Sequence, residues 1–397
     1  MNLIRVLLSL AAVAVASNTA SAEPAPAPQA GQELNAMLQI NWSRGPNLPQ
    51  GFQDSDGGVV RNTLITACGF CTGLNNDRKP GRYPRGFLKK VFGIDLANED
   101  AGWSTLPDFP GAARQELFSI VVGDVLYCWG GFSYDPPYCY RDGYRLFQAG
   151  SKWTWEPLPD LMWPVCSSGI CAVGSKIYVM GGADYDAEAF YTATDRDGKS
   201  PRLGARLLVI DIENFEAGWQ RLPDCPGTAR WVHATAAVGG KAYVLGGATG
   251  SPYATVVDNW VFDPKAETWS RLPDLPIASG NFPCGAIAFK NRYILLIGGY
   301  QYNKVANPDG TTREPYGTAG RCNDEGTYYN DVFVYDTLKN TFGRADSLPL
   351  NNNLPMAVVH GNQLFLIGGE TGTAVVEGEF YGHHPELFLK GAIQETR

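Results

Sequence analysis

Residues 230–273 read RWVHATAAVGGKAYVLGGATGSPYATVVDNWVFDPKAETWSRLP. Two apolar runs flank a Gly-Gly turn at 239–240, and a second Gly-Gly pair at 246–247 stops the second run. A third run ends in Asp-Pro, and a fourth carries Trp269 and ends in Leu-Pro. Short β-branched and aromatic runs separated by glycine turns are typical of antiparallel strands joined by hairpins. The segment therefore predicts one sheet of four strands.

Variants of this unit recur along the chain. Successive Gly-Gly pairs are 51, 65, 52 and 70 residues apart, and the variation lies in the loops after the pairs. The pairs are Gly130/Gly131, Gly181/Gly182, Gly246/Gly247, Gly298/Gly299 and Gly368/Gly369, and in the first unit Gly69-Phe70 takes this place. The closing aromatic residues are Trp42, Trp103, Trp155, Trp219, Trp269 and Phe342. Radial repetition of four-stranded sheets predicts a β-propeller.

The last unit lacks a fourth strand, because it ends with Glu386–Ala392. The beginning of the chain carries what resembles the end of a unit. The spacing from aromatic residue to leucine is the same in Trp42–Leu48 as in Phe342–Leu348. We therefore expect the N-terminal strand to be the outermost strand of the last sheet, since an open ring would leave unpaired strand edges.

These residues resemble the kelch-repeat family across the whole chain after the leader. The resemblance implies an all-β fold, a six-bladed kelch β-propeller whose last blade is closed by the N-terminal strand. In that family the glycine pair lies where the second strand meets the crowded axis, and the closing aromatic residue packs between neighbouring sheets. We therefore assign these residues to structure, together with His233, which falls where kelch repeats often carry a structural histidine.

Residues 1–22 have the features of a signal peptide: Arg5, an apolar stretch at Val6–Ala16 and a small-residue cleavage site. Residues 23–40 form a Pro/Ala-rich spacer, and residues 41–397 form the propeller. We expect an exported protein, periplasmic or secreted. No integral membrane insertion is expected after cleavage, because no other stretch is apolar enough. The formal net charge of −8 argues against nucleic acid as a partner.

The nine cysteines are an odd number, so at least one has no intramolecular partner. Cys68 and Cys71 have the spacing of a redox or metal motif, but no second such pair or close histidine completes a zinc site. His383 and His384 are adjacent in an extended segment and point in opposite directions. We therefore expect no metal site and no cofactor.

Long loops lie on one face of the predicted ring, at 72–89, 132–143, 183–204, 300–330 and 371–385. Binding residues concentrate on such loops. Counting back 16 residues from each Gly pair reaches the channel mouth at Arg114, Val165, Arg230, Phe282 and Asn352, with Gln53 beside Asp54 in the first unit. Two arginines at equivalent positions predict an anion clamp; the alternative is that each pairs with an acidic residue of the protein. The predicted ligand-binding residues are Asp54, Arg114, Gln115, Arg230 and Asn352.

Two functions remain open. One is a binding module that holds a carbohydrate or protein ligand on the long-loop face, which the lack of a catalytic motif favours. The other is a sugar-active isomerase, because Gly368–Thr371 and Arg114-Gln115 look similar to the N-acetylneuraminate epimerase (sialic acid mutarotase) family. That resemblance implies a general acid/base near an anion-holding arginine, with Asp54, Arg114 and Arg230 as candidates. A copper-radical oxidase of the galactose oxidase type is less favoured, because six units replace seven and no ligand set is evident.

Overall fold

The structure is a computed structural model that describes residues 34–73, 85–184, 202–249, 254–280, 282, 287–302, 304–307, 309–314, 328–376 and 379–396. The predicted signal peptide and most of the predicted spacer lie outside the described residues. Those boundaries, and the start of the propeller at residue 41, stay predictions. Within the described ranges, none of the helical segments has the length and apolar character needed to span a bilayer.

The described residues form six four-stranded antiparallel sheets, numbered here in chain order. Sheet 1 contains Asp56–Val60, Thr63–Ala67, Val91–Asp95 and Ser104–Thr105; sheet 2 contains Phe118–Val122, Val125–Trp129, Gly143–Ala149 and Lys152–Leu158; sheet 3 contains Gly169–Val173, Lys176–Met180, Leu207–Asp211 and Gln220–Leu222. Sheet 4 contains Ala234–Val238, Lys241–Leu245, Asn259–Asp263 and Thr268–Leu272; sheet 5 contains Ala288–Phe289, Tyr293–Ile297, Val332–Asp336 and Thr341–Arg344; sheet 6 contains Met356–His360, Gln363–Ile367, Phe388–Glu395 and Leu38–Arg44.

Shorter strands lie on the long-loop face. They are Phe70–Cys71 with Gly86–Phe87, Ala183–Asp184 with Arg202–Leu203, Thr373–Val376 with Glu379–Gly382, and the group Thr255–Val256, Val305–Ala306 and Thr312–Arg313. Two single-turn 3₁₀ helices, Glu99–Ala101 and Phe215–Ala217, precede the outer strands of sheets 1 and 3.

The first hairpin of sheet 4 shows how local sequence sets the register. Val238 lies opposite Lys241 across a two-residue turn, Gly239-Gly240. Both glycines have positive φ, +60° and +75°. This is the geometry of a two-residue hairpin turn, which a residue with a β-carbon adopts only with strain. The predicted Gly-Gly hairpin is confirmed.

The first strands of the sheets form a closed ring. Each first strand contacts the first strand of the next sheet, and the first strand of sheet 6 contacts that of sheet 1. Sheet 6 is completed by both ends of the chain, since Leu38–Arg44 pairs antiparallel with Phe388–Glu395 from Leu38 opposite Glu395 to Arg44 opposite Leu389. The predicted all-β propeller, with its last sheet closed by the N-terminal strand, is confirmed.

The glycine pairs end the second strands with two residues at positive φ. The first position has φ between +59° and +68° and the second between +85° and +112°. In the first unit these values belong to Cys68 (+64°) and Gly69 (+110°), so the pair is Cys68-Gly69. Our alignment of Gly69-Phe70 with the pair was therefore wrong by one residue, because a cysteine occupies the first left-handed position.

The closing tryptophans join neighbouring sheets. In sheets 1 to 4 the indole Nε1 donates to a proline carbonyl that follows the outer strand of the preceding sheet. The bonds are Trp103 to Pro46 at 3.0 Å, Trp155 to Pro107 at 2.9 Å, Trp219 to Pro159 at 3.3 Å and Trp269 to Pro223 at 2.8 Å. The core lies between the sheets, where, for example, Leu64 and Phe92 of sheet 1 pack with Phe365 of sheet 6.

Candidate functional site

A ring of backbone hydrogen bonds surrounds one end of the central channel. At five of its six positions the backbone N–H donates to the carbonyl of the equivalent residue in the preceding sheet, at 3.1–3.3 Å. This channel ring contains Asp54, Glu116, Ser167, Val232, Phe282 and Leu354. All but Phe282 have φ between +45° and +56°. Non-glycine residues in this region are strained, and such strain tends to occur at functional sites.

Two adjacent members of the channel ring are carboxylates, and each is supported by the amide that precedes it. Gln53 Nε2 donates to Asp54 Oδ2 at 2.9 Å, and Gln115 Nε2 donates to Glu116 Oε1 at 3.3 Å. The Ser167 hydroxyl donates to the other oxygen of Glu116 at 2.6 Å. Sheets 1 and 2 thus present carboxylates side by side at the channel mouth.

A third carboxylate, Glu370, reaches the same place from sheet 6. It directly follows the glycine pair at 368–369, and its backbone pairs with Asn353. The side chains of Tyr328 and Asn353 hydrogen-bond the Glu370 carboxyl group. We call Asp54, Glu116 and Glu370 the acid cluster.

The environment of the acid cluster favours protonation. Burial raises the pKa of Asp54 well above its ordinary value, and the charges of Glu116 and Glu370 raise it further. Burial also raises the pKa values of Glu116 and Glu370, against hydrogen bonds that lower them. Like charges this close do not all ionise together, so the protons belong to the group as a whole. Raised pKa values bring these carboxyl groups towards the range in which one can donate a proton and another accept one.

The described part of the rim beside the acid cluster is aromatic and includes the cation Arg85. The guanidinium carbon of Arg85 lies 5.9 Å from the ring centroid of Phe70, which in turn lies 6.0 Å from that of His384. His384 Nδ1 accepts from the Thr72 N–H at 3.3 Å. Burial lowers the pKa of His384 to about 3, helped by the charges of His383 and Arg85. His384 is therefore neutral near pH 7, and Arg85 is the cation among the rim residues that the structure describes.

Below the acid cluster the channel narrows to a cavity of about 70 Å³, lined by residues that include Asp54, Asp56, Glu116, Ser168 and His233. This volume is well below the roughly 300–1,000 Å³ of ordinary ligand pockets. A sugar ring does not fit there. A ligand that reaches the acid cluster must therefore lie above the channel ring, among the loops.

Arg114 and Arg230 do not face the mouth as free cations. Arg114 donates two hydrogen bonds to the Asp142 carboxylate, at 2.7 and 3.0 Å, and others to the carbonyls of residues 112 and 130. Arg230 donates to the Asp258 carboxylate and to the carbonyls of residues 228, 246 and 258. Both side chains are almost fully buried. These contacts favour the alternative in which each arginine pairs within the protein.

Of the other predicted site residues, one has a structural role and two belong to the site. Asn352 is fully buried and donates through Nδ2 to the Gly368 carbonyl at 3.0 Å, so it stabilises the strand end. Gln115 supports Glu116, and Asp54 belongs to the acid cluster itself. The site residues predicted from the sequence do not include Glu116, Glu370 or Arg85. A signal for Glu116 was present: Gln115-Glu116 repeats the amide-acid order of Gln53 and Asp54.

In the described ranges, all seven cysteines are free thiols. No group of three or more His, Cys, Asp or Glu side chains there is arranged to hold a metal ion. Cys68 and Cys71 are buried free thiols, and burial raises the pKa of Cys68 to about 12. A thiol held in this state is a poor nucleophile and metal ligand at neutral pH.

The closed ring of sheets, with its glycine pairs and tryptophan wedges, defines a kelch-type β-propeller. The profile described as "KLHDC2/KLHL20/DRC7 Kelch-repeats domain" matches residues 116–369, and the chain belongs to this kelch-repeat family.

Bacterial proteins are similar over most of the chain. N-acetylneuraminate epimerase of Haemophilus influenzae (strain 86-028NP) is 24% identical over 361 residues, which cover 84% of this chain and 90% of the relative. The protein of the same name from Pasteurella multocida (strain Pm70) is 23% identical over 359 residues, covering 82% and 88%. The solved structure titled "Structure of YjhT" matches with a TM-score of 0.61 and 16% identity, over 86% of this chain and 96% of that chain. This last likeness shows the fold.

Proposed function

We propose that the chain is an isomerase that interconverts the anomers of an acidic reducing sugar at the channel mouth. The observation that carries this proposal is the convergence of three carboxylates with raised pKa values, from sheets 1, 2 and 6, at one end of the channel. The similarity to proteins named N-acetylneuraminate epimerase, over most of both chains, supports the substrate class.

The reaction needs one proton donor and one proton acceptor. A carboxylate of the acid cluster takes the proton of the anomeric hydroxyl, while a protonated member gives a proton to the ring oxygen. The ring carbon–oxygen bond breaks, the carbonyl forms, and the open chain rotates and recloses on its other face with the two proton transfers reversed. No electrons are gained or lost. General acids and bases work best with pKa values near the working pH, and burial shifts the pKa values of the cluster in that direction.

Arg85 supplies the charge that an acidic sugar requires. Its guanidinium lies at the rim beside Phe70, and a guanidinium offers a carboxylate two parallel hydrogen bonds. A proton bound to the acid cluster lowers the negative charge there. The cluster therefore repels the carboxylate of the acidic sugar less. Arg85, and not Arg114 or Arg230, is therefore the proposed anion-holding residue.

NMR exchange spectroscopy on the anomers of N-acetylneuraminate tests the proposal. The protein at micromolar concentration should accelerate exchange, and Asp54→Asn, Glu116→Gln and Glu370→Gln should each reduce the acceleration by about 10²-fold or more. Glu213→Gln, at an exposed position away from the channel, is the matched control and should retain the rate. Arg85→Gln should mainly raise KM. Exchange at the uncatalysed rate with native protein rejects the isomerase.

A glycan- or protein-binding module is the second candidate function. The aromatic rim favours it, because Tyr134 is 45% exposed and packs edge-to-face on Phe87 with ring centroids 4.9 Å apart. Binding of sugars without any change in exchange rate would support this candidate. For either function we propose an exported location, periplasmic or secreted, which fractionation of the producing cells tests.

A further inference from the structure

Among the described residues, sheets 5 and 6 lack the hydrogen bond that joins a closing tryptophan to the preceding sheet. Four closing tryptophans donate to a proline of the preceding sheet, as described above. Sheet 5 closes with Phe342, which has no N–H to donate. Sheet 6 closes with Trp42, whose Nε1 is buried and has no hydrogen-bond partner among the described residues. By the pattern of the other sheets its acceptor would be the carbonyl of Pro349.

A groove opens at this interruption. It has a volume of about 590 Å³ and lies between sheet 6 and the segment that leaves sheet 5. Its described lining comprises Trp42, Ser43, Arg44, Asn47, Pro349, Leu350, Thr371, His383, Pro385, Leu387 and Leu389. Ligand pockets commonly occupy roughly 300–1,000 Å³. The groove is therefore large enough for an oligosaccharide, unlike the channel cavity.

The charge of the groove is opposite to that of the channel mouth. None of its described lining residues is a carboxylate, and Arg44 is exposed. Within the described ranges the Arg44 guanidinium has no ion-pair partner, whereas Arg114, Arg145, Arg221, Arg230 and Arg292 all have one. A guanidinium without a carboxylate, beside an indole N–H without an acceptor, favours a ligand that is an anion and carries further oxygen acceptors.

The groove and the channel mouth use opposite sides of the same backbone. Glu370 and His384 belong to the mouth, while their chain neighbours Thr371 and His383 line the groove. The two segments are bonded to each other, since the Thr371 N–H donates to the His383 carbonyl at 3.0 Å. Successive side chains of an extended segment point to opposite sides, which explains why neighbouring residues face different sites. The two sites are therefore adjacent but chemically separate.

We propose that this groove is a second binding site, which takes an acidic oligosaccharide of two or three sugar units. The Arg44 guanidinium binds the carboxylate, and Trp42 Nε1 donates to a hydroxyl or carbonyl oxygen of the ligand. Ser43 and Asn47 offer further polar contacts, and Leu350 and Leu387 form the apolar floor. The site needs no catalysis at the channel mouth and does not depend on the proposed isomerase.

Titration calorimetry with sialyllactose, a trisaccharide with one carboxylate, tests the groove; lactose is the uncharged comparison. Native protein should bind sialyllactose saturably and lactose at least tenfold more weakly. Arg44→Gln should weaken sialyllactose binding by about tenfold. Trp42→Phe, which keeps the wedge and removes the N–H, should weaken it by about threefold. Arg344→Gln, an exposed arginine outside the groove, is the matched control and should bind normally.

Two variants at the mouth separate this site from the acid cluster. Arg85→Gln and Glu370→Gln should retain sialyllactose binding, while Arg44→Gln and Trp42→Phe should retain the native rate of anomer exchange. The proposal is overturned if native protein shows no saturable binding up to millimolar sialyllactose, if lactose binds equally well, or if Arg85→Gln abolishes binding and Arg44→Gln does not. Should Trp42→Phe fail to fold in a urea titration, the Arg44→Gln and lactose comparisons decide alone.

Discussion

Replacing Arg230 with methionine should destabilise the fold strongly and leave ligand binding intact. The substitution removes the cation that faces the Asp258 carboxylate, with both side chains at 4% exposure or less. It also removes donors from three backbone carbonyls, at residues 228, 246 and 258. Among the described residues, Asp258 then keeps hydrogen bonds from Thr228 and from the indole N–H of Trp260. A buried carboxylate is left without its counter-charge.

The expected loss in the free energy of unfolding is about 3–5 kcal/mol at pH 7, the usual cost of removing one partner from a buried ion pair. Urea titration followed by tryptophan fluorescence measures it. The matched control is Arg221→Met, because Arg221 pairs with Asp224 at the surface. An exposed pair contributes little, so this variant should unfold close to the native midpoint.

The pH dependence of the Arg230→Met variant gives a second measurement. Burial opposes ionisation of Asp258, but Arg230 and Trp260 hold its pKa below the ordinary value in the native protein. Without Arg230 burial dominates and the folded pKa rises above that of the unfolded chain. The destabilisation should therefore be largest near neutral pH and should shrink as the pH falls towards about 4. Arg230→Met/Asp258→Asn should be more stable than Arg230→Met alone, because it no longer buries an unpaired charge.

These results would be contradicted if Arg230→Met unfolds within about 1 kcal/mol of the native protein, or if it loses sugar binding at unchanged stability. The second outcome would indicate that Arg230 binds the ligand, as the sequence predicts. Removing Arg114 should cost less, because the side chain of its partner Asp142 is 30% exposed and keeps part of its hydration.

Three further results are expected. Burial raises the pKa of Asp56 to about 7, so stability should fall by up to about 4 kcal/mol as the pH rises from about 4 to 7; Asp56→Asn should flatten that slope in urea titrations across this range, and an unchanged slope would count against it. Gly369→Ala should destabilise by about 2 kcal/mol or more, because φ is +93° and the new β-carbon would lie 2.0 Å from Asn352 Oδ1; a native melting temperature would contradict this. A chain that begins at residue 46 loses the partner of Phe388–Glu395 and should aggregate on size-exclusion chromatography, and a monomeric, native-like elution would refute the closure argument.

Much of the fold is predictable from the sequence, because the repeated signals are local. A Gly-Gly hairpin such as Gly239-Gly240 needs only its own backbone geometry, and the spacing of Trp42 from Leu48 identifies a displaced outer strand. The first unit was misaligned by one residue for a physical reason. Cys68 adopts a left-handed conformation that sequence reasoning reserves for glycine.

The candidate site was harder to predict from the sequence than the fold, because the position of a residue along a strand does not give the direction of its side chain. The residue count gives the correct positions of Arg114 and Arg230 relative to the glycine pairs. It does not identify the aspartates that pair with them. A usable signal exists in hindsight: each arginine is followed 28 residues later by the aspartate that binds it, Asp142 or Asp258. Glu370 comes to the acid cluster only through the closing of the ring, which brings sheet 6 beside sheet 1.

Ring closure also bears on how the molecule comes apart. A linear array of repeats frays from its two terminal units, so its loss of structure spreads gradually. In this chain every sheet has a neighbour on each side, and the seam in sheet 6 joins strands more than three hundred residues apart. Melting any single blade therefore exposes two inner surfaces at once, and heat should dismantle the propeller in one concerted step.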